Sequence, residues 1–354
     1  MRPIIIGAGP VGSYVATMIK ELNPLLIERK KEVGIPVQCT GLVSTRLRKL
    51  TPYPDDIIRN KVKGAVFYSK NEKAVIKSRK VMAHVIDRAA YDKWMFKRYD
   101  GESRLGEEFL RYDEGRVYTN KGKYDTSLLI DCSGPKRGLV GVQAVAGLQK
   151  DTDLVELYFD VVPDFFGWVV PVNSRVCRIG LATAQENPMQ ILKHFLKRLG
   201  AGKVREWNAG LIPMKVEEFV GNGLIRVGDA AGQVKAISGG GLVTGISSAG
   251  IAAEAVKEGF AKNDFSRKFF RKTYCKKWKK TIGRELRVHF LVRRYLNSLG
   301  EKGYDELIRF IKRNKDIIVR KGDMDYPLRL VISLLRIRNL PFFAKALFKL
   351  LASF

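Results

Sequence analysis

The sequence predicts an α/β chain, α+β overall, in three parts: a parallel-sheet domain with crossover helices, an antiparallel-sheet domain and a C-terminal helical region. Three observations carry this. A β-branched run, Ile4 to Ile6, leads straight into a glycine turn and a helix. Short strands separated by turns fill the stretch from Val140 to Val220. A basic, helix-periodic stretch runs from Phe265 to Phe354. With 354 residues, 45% of them hydrophobic, the chain can build two or three domains with sizeable cores, and it is not mostly disordered.

The first 28 residues organise the rest. Ile4, Ile5 and Ile6 form a buried parallel strand. Gly7, Gly9 and Gly12 follow in G-x-G-x-x-G spacing. Gly7 permits the tight turn, Gly9 lets a pyrophosphate approach the backbone, and Gly12 lets helix and strand pack closely. Ser13 to Leu22 reads as a helix whose N-terminus offers free N–H groups to that pyrophosphate. Pro24 ends it, and Leu25 to Ile27 form a second strand ending in Glu28, placed to accept hydrogen bonds from ribose hydroxyls. Arg29, directly after it, is grouped with the cofactor-binding residues. Together these make a Rossmann-like dinucleotide site.

Farther on, Pro36 to Ser44 is rich in small residues, so that a backbone can lie close to a flat ligand. Val62 to Phe67 and Lys73 to Lys77 read as two strands, and a helix opens at Asp87-Arg88. Ser127 to Asp131 is a buried strand ending in a small-residue turn, Asp131 to Gly134. Leu154 to Val161, Gly167 to Val172 and Arg175 to Thr183 are strands of an antiparallel sheet, with Pro188 to Leu199 a helix on it. Leu224 to Gly232 returns to the texture of a strand and a glycine-acid turn, and Ser238 to Leu242 precedes a small-residue helix from Val243 to Glu258. The predicted domains are 1–60, 84–138 and 222–262 for the dinucleotide, 61–83 and 139–221 for the antiparallel sheet, and 263–354 for the basic helices.

These pieces, in this order, resemble the FAD-dependent geranylgeranyl reductase family of the p-hydroxybenzoate-hydroxylase-like flavoproteins. Gly7 to Glu28 look like the adenine-dinucleotide site. Asp87-Arg88 with Tyr91-Asp92 resembles the family's R-x-x-[FY]-D stretch, whose Arg lies near FAD. Leu224 to Gly232 looks like the second FAD motif, in which Asp229 would bond the ribityl chain. Gly239, Gly240, Gly241 and Leu242 would set a helix N-terminus beside the flavin pyrimidine ring. Pro163 to Pro171 matches the reductases' P-x-x-Y-x-W-x-F-P motif, with Phe166 in place of Tyr and Val170 in place of Phe. Pro36 to Ser44 resembles the P-x-x-C-x-G segment, with Cys39 and Gly41 expected beside the isoalloxazine ring. The resemblance covers about residues 1 to 260.

It implies a reductase that hydrogenates C=C bonds of geranylgeranyl chains, in archaeal-type glycerophospholipids or prenyl diphosphates. FAD would supply the hydride, and the protein position and electrostatics. An isolated alkene must gain a proton as the hydride arrives, so a donor is needed in an apolar tunnel. Cys39 is the candidate donor or gate; the bland alternative is a packed thiol. Trp168 is the second candidate catalytic residue, and Phe166, Trp168 and Pro171 are the substrate-binding candidates; the alternative for Trp168 is a sheet-core aromatic. NAD(P)H or ferredoxin would be the external reductant, a choice the sequence leaves open.

Net charge is +28, and residues 261–354 hold 25 Lys and Arg against 8 Asp and Glu. Such a tail points to an anionic partner or, alternatively, to a soluble surface suited to high temperature. Between Tyr326 and Phe354, Arg329, Arg336, Arg338, Lys345 and Lys349 interrupt apolar runs too short for the roughly 20 residues of a bilayer span. An amphipathic segment touching the membrane interface is expected, against a pair of helices that merely cover the catalytic sheet. With no signal peptide read at the N-terminus, the protein is expected to be cytoplasmic and peripheral to the membrane.

The four cysteines form no C-x-x-C pair, and the three histidines lie far apart, so no metal site is expected. Three other functions compete with this one: an FAD-dependent hydroxylase or halogenase, a membrane electron-transfer flavoprotein, and a basic nucleic-acid-binding flavoprotein. The W-x-W-x-I-P motif usual in halogenases is absent. A C-terminal cysteine cluster for iron–sulfur is absent, and no RNA-binding aromatic motif is present, so no nucleic-acid partner is expected.

Overall fold

The computed structural model describes residues 1–335 and 339–351, with side chains through residue 346. Of the amphipathic tail, Arg336, Ile337, Arg338 and residues 352–354 lie outside the described residues, as do the side chains of Leu347, Phe348, Lys349, Leu350 and Leu351.

Ile4–Ile6 is wholly buried because it lies inside a six-stranded sheet, paired in parallel with Leu25–Glu28 on one side and Leu129–Asp131 on the other. Leu224–Arg226 extends the parallel set, and Val220–Gly221 adds an antiparallel edge. The opposite edge, Ser103–Leu105, was not predicted: it is short and exposed and so has no apolar pattern to betray it. The glycine-turn helix starts at Pro10 rather than Ser13 and runs to Met18, because proline at the first helical position costs no hydrogen bond; a 3₁₀ turn, Lys20–Leu22, follows. It packs on the long helix Leu242–Lys262. A Cβ at Gly245 would lie 2.8 Å from Val11, so the small residues of this helix permit a close approach.

The second sheet has seven strands, in the order Val204–Ile212, Leu139–Gly147, Val176–Thr183, Gly167–Pro171, Leu154–Tyr158, Gly64–Tyr68 and Lys73–Lys77. It is antiparallel apart from one parallel pair, Leu154–Tyr158 with Gly64–Tyr68. The edge strand Val204–Ile212 is mostly exposed, including Trp207 and Leu211, which hid it from a reading based on buried alternation. Helix Pro188–Arg198 covers the sheet with Leu192, Phe195 and Leu196.

The C-terminal helices bridge the two cores. Trp278, Ile282 and Leu286 join the first, with Ile5, Val15 and Val256, whereas Leu296, Tyr304 and Ile308 join the second, with Phe159 and Trp168. The helical path is distorted by two π-helical turns, Arg271–Cys275 and Lys279–Gly283, before Arg284–Asn297. In the tail, Phe342 stacks on Phe310 at 3.9 Å, beside Ile317 and Leu334, so part of its apolar face covers the protein's own helices. Ile332, Leu335 and Leu340 remain exposed. Among the described residues no helix is long and apolar enough to cross a membrane.

Candidate functional site

The strand–turn–helix unit has the geometry its residues dictate. Gly7 has φ +96°, and a Cβ there would sit 2.4 Å from the Cys132 carbonyl oxygen. A Cβ at Gly12 would lie 1.9 Å from the Gly7 carbonyl oxygen. Gly9 differs: among the described residues nothing lies within 4 Å of its Cβ position, so it faces an open cradle. Gly9 caps helix Pro10–Met18 without a side-chain acceptor, which leaves the first N–H groups for a ligand. Glu28 closes the turn. Its Oε2 accepts from the Ala8 N–H at 2.8 Å and its Oε1 from the Lys30 N–H at 2.9 Å. Arg29 is exposed and has no partner among the described residues.

The second motif lies across the same sheet. After Leu224–Arg226 a 3₁₀ turn, Gly228–Ala231, presents Asp229 against the next helix. A Cβ at Gly241 would lie 2.5 Å from Asp229 Oδ1. Burial pushes the Asp229 carboxyl up, with the Arg88 cation pulling it down. Among the described residues its carboxylate oxygens have no hydrogen-bond partner. Gly241 caps helix Leu242–Lys262, again without a side-chain acceptor, and Gly239 takes φ +70°. Two uncapped helix N-termini, an open glycine cradle and an unpartnered carboxylate fit a flavin adenine dinucleotide, whose pyrophosphate, ribityl hydroxyls and pyrimidine edge need such donors and acceptors.

The Cys39 segment joins the two sheets. The Gly41 N–H points at the Cys39 sulfur at 3.4 Å, and Gly41 has φ +71°. Arg178 donates to the carbonyls of Thr40 and Ile86 from the neighbouring sheet. Arg88 makes two 3.1 Å bonds to Asp92, so the arginine and the acid of the R-x-x-[FY]-D stretch hold each other. The Cys39 thiol lies within electrostatic reach of both guanidinium groups. One step away, Gln143 Oε1 accepts from the Thr40 hydroxyl at 2.8 Å and from the Trp168 indole at 3.1 Å. Gln143 therefore links the Trp168 strand to the segment that carries Cys39. Phe166, Trp168 and Pro171 are buried, with Phe166 stacked on Phe165 at 4.2 Å.

Sequence reasoning missed the residues that pin the loop before Leu242. Lys235, whose carbonyl accepts from the Gly239 N–H, forms a buried ion pair with Asp325 at 2.8 Å. Asp325 also accepts from the Ser44 hydroxyl, and its carbonyl meets His289 Nε2 at 3.2 Å. Arg293, buried, donates to the carbonyls of Ala236 and Ile237, and its guanidinium lies 4.2 Å from the Phe165 ring centroid. Burial pushes the Arg293 pKa down to about 10. Only Arg293 carried a sequence signal, a charged residue within a helical stretch; Lys235 and Asp325 lie in loops.

Two cavities flank this loop. The smaller, about 150 Å³, is bordered by Asp229, Gly232, Lys136, Arg137 and Lys215. The larger, about 510 Å³, lies beside the π-helical turn Lys279–Gly283 and also touches Lys215.

No family model matches the chain. An uncharacterized protein of Methanocaldococcus jannaschii is 27% identical over 94% of this chain and 94% of its own. Digeranylgeranylglycerophospholipid reductase 2 of Methanothermobacter thermautotrophicus is 27% identical over 89% of this chain and 92% of its own. Among solved structures, a geranylgeranyl bacteriochlorophyll reductase-like protein from Thermoplasma acidophilum shares the fold with a TM-score of 0.82, over 99% of this chain and 98% of that one, at 22% identity. The flavin-dependent brominase Bmp2 shares it at a TM-score of 0.70 and 15% identity, over 97% and 99%. The chain is thus similar to archaeal digeranylgeranylglycerophospholipid reductases along nearly its whole length, and it shares the fold of the Thermoplasma acidophilum protein.

Proposed function

We propose that this protein is an FAD-dependent reductase that saturates C=C bonds of geranylgeranyl chains carried by glycerophospholipids or prenyl diphosphates. The observation that carries the reading is its end-to-end similarity to digeranylgeranylglycerophospholipid reductases, joined to an intact dinucleotide frame at Gly7, Gly9, Gly12 and Glu28. FAD, when bound and reduced, supplies a hydride. The chain's own residues do the rest. The helix N-termini at Pro10 and Leu242 and the Asp229 carboxylate hold and orient the cofactor. Cys39 gives the proton to the second alkene carbon, and Arg88 and Arg178 fix its segment. Trp168, held by Gln143, walls the reacting face and excludes water.

NAD(P)H or ferredoxin supplies the electrons from outside. The protein works at the cytoplasmic membrane surface, where exposed Ile332, Leu335 and Leu340 enter the interface and Arg329 meets phosphate. The test is anaerobic. Dithionite-reduced holoprotein should regain oxidised-flavin absorbance when an unsaturated archaeal phospholipid is added without oxygen. Reoxidation by oxygen alone, with a hydroxylated or halogenated product, would favour the monooxygenase reading that the brominase fold suggests.

A further inference from the structure

The larger cavity combines two kinds of wall. Its floor is apolar: Val234, Ala236, Trp278 and Leu286 are buried, and Met214 and Phe290 complete it. Its rim is Lys215, Lys279, Arg284 and Arg287, all exposed. Among the described residues no acidic one lines it. None of these four cations makes an ion pair or side-chain hydrogen bond among the described residues, although many other surface cations of this protein are paired. Glu285, between the two arginines in sequence, is turned away to accept from the Leu328 N–H at 3.0 Å.

The site is also built into the backbone. The π-helical turn Lys279–Gly283 interrupts the helix where it borders the cavity, and such turns are common at functional sites. The distortion sets Lys279 on one rim and Arg284 on the next turn. Val234 and Ala236 belong to the loop that leads to Gly239, and Lys215 borders both this cavity and the cleft beside Asp229. A volume of 510 Å³ falls within the roughly 300–1,000 Å³ usual for small-molecule sites.

We infer that this cavity binds the phosphate end of an anionic amphiphile: Lys215, Lys279, Arg284 and Arg287 take the phosphate, and the floor around Trp278 takes the first part of the hydrocarbon chain. The inference deepens the reductase reading and rests on it for the identity of the chain, but binding here is measurable without turnover. The shared chemistry is a phosphate ester on a prenyl chain, whether a soluble prenyl phosphate or a lipid drawn from a bilayer.

The experiment uses full-length holoprotein and equilibrium dialysis with farnesyl monophosphate, farnesol and inorganic phosphate. Farnesyl monophosphate should bind at least about tenfold more tightly than either of the others, because charge-assisted hydrogen bonds and apolar burial add. Its affinity should fall with added salt. The double variant Arg284→Gln/Arg287→Gln should lose about tenfold for farnesyl monophosphate and nothing for farnesol, with flavin content and melting temperature unchanged. The ligand should also change tryptophan fluorescence in the native protein but not in Trp278→Phe.

Equal affinity for farnesol and its phosphate, an unaffected double variant, or a fluorescence response that survives Trp278→Phe would each overturn the assignment. Competition by phosphatidylglycerol vesicles identifies a bilayer lipid as the source, and lack of competition identifies a soluble prenyl phosphate; both require the double-variant effect. Tight binding without alkene reduction would reject the reductase reading and leave the cavity assigned. Alkene reduction with an unaffected double variant would do the reverse.

Discussion

The Trp168 indole N–H donates to Gln143 Oε1 at 3.1 Å, inside the sheet core, and the same oxygen accepts from the Thr40 hydroxyl at 2.8 Å. One buried amide thus ties the tryptophan strand to the segment that carries Cys39. Gln143→Leu strands both donors, which costs about 1–3 kcal/mol for a buried unsatisfied group. Urea unfolding should show that loss, and reduction of the lipid should slow more than flavin binding weakens. Unchanged stability would mean that the two donors find other acceptors.

The glycines of the first turn separate stability from binding. Gly12→Ala drives a Cβ into the Gly7 carbonyl and should destabilise the apoprotein by more than about 2 kcal/mol. Gly9→Ala meets none of the described residues within 4 Å, so the apoprotein should melt as the native one does, yet FAD retention after dialysis should fall. Glu28→Ala should also release FAD, since it frees the turn at Ala8. Full FAD occupancy in Gly9→Ala would contradict the cradle.

His289 makes stability depend on pH. Burial first, then the Lys235 cation, pushes its pKa down to about 4, from 6.5 in an open chain. The unfolded chain therefore takes up a proton below about pH 6.5 that the folded protein refuses until about pH 4. Stability is complete above that window and falls through it, by up to about 3 kcal/mol for this residue. His289→Gln keeps a donor for the Asp325 carbonyl and should flatten this part of the profile. An unaltered slope in chemical unfolding between pH 6.5 and 4 would contradict the assignment.

The Lys235–Asp325 pair clamps the loop before Leu242 from the C-terminal region. Asp325→Ala leaves a buried ammonium unpaired, at about 3–5 kcal/mol. The variant should melt earlier and bind FAD less tightly. Lys235→Met/Asp325→Leu should recover much of the stability, as replaced buried pairs often do.

Cys39→Ala should slow alkene reduction with FAD retained, and Cys39→Ser should slow it as well, because a hydroxyl is a far weaker acid than a thiol. A Cys39→Ala protein as fast as the native one would remove the thiol from the chemistry.

Much of the frame was legible because its determinants are local. Gly7, Gly9, Gly12 and Glu28 lie within one strand–turn–helix–strand unit, and their spacing alone fixes their geometry. Asp229 and Gly239 to Gly241 were legible for the same reason. Gln143, Arg178, Lys235 and Arg293 were not. Their partners lie 25 to 138 residues away along the chain, and only the pairing of sheets and helices brings them together. The tail illustrates the same limit: its composition suits a membrane interface, but Phe342 is taken by Phe310, a contact no periodicity encodes. Edge strand Ser103–Leu105 was invisible because exposed strands need no apolar alternation.

The most direct measurement is mass spectrometry of lipids recovered after anaerobic incubation of reduced holoprotein with a digeranylgeranylglycerophospholipid. A ladder of products, each gaining two hydrogens per double bond and no oxygen, is the predicted result. Unchanged lipid from a fully flavinated, reducible protein, or product bearing oxygen or halogen, would contradict the account.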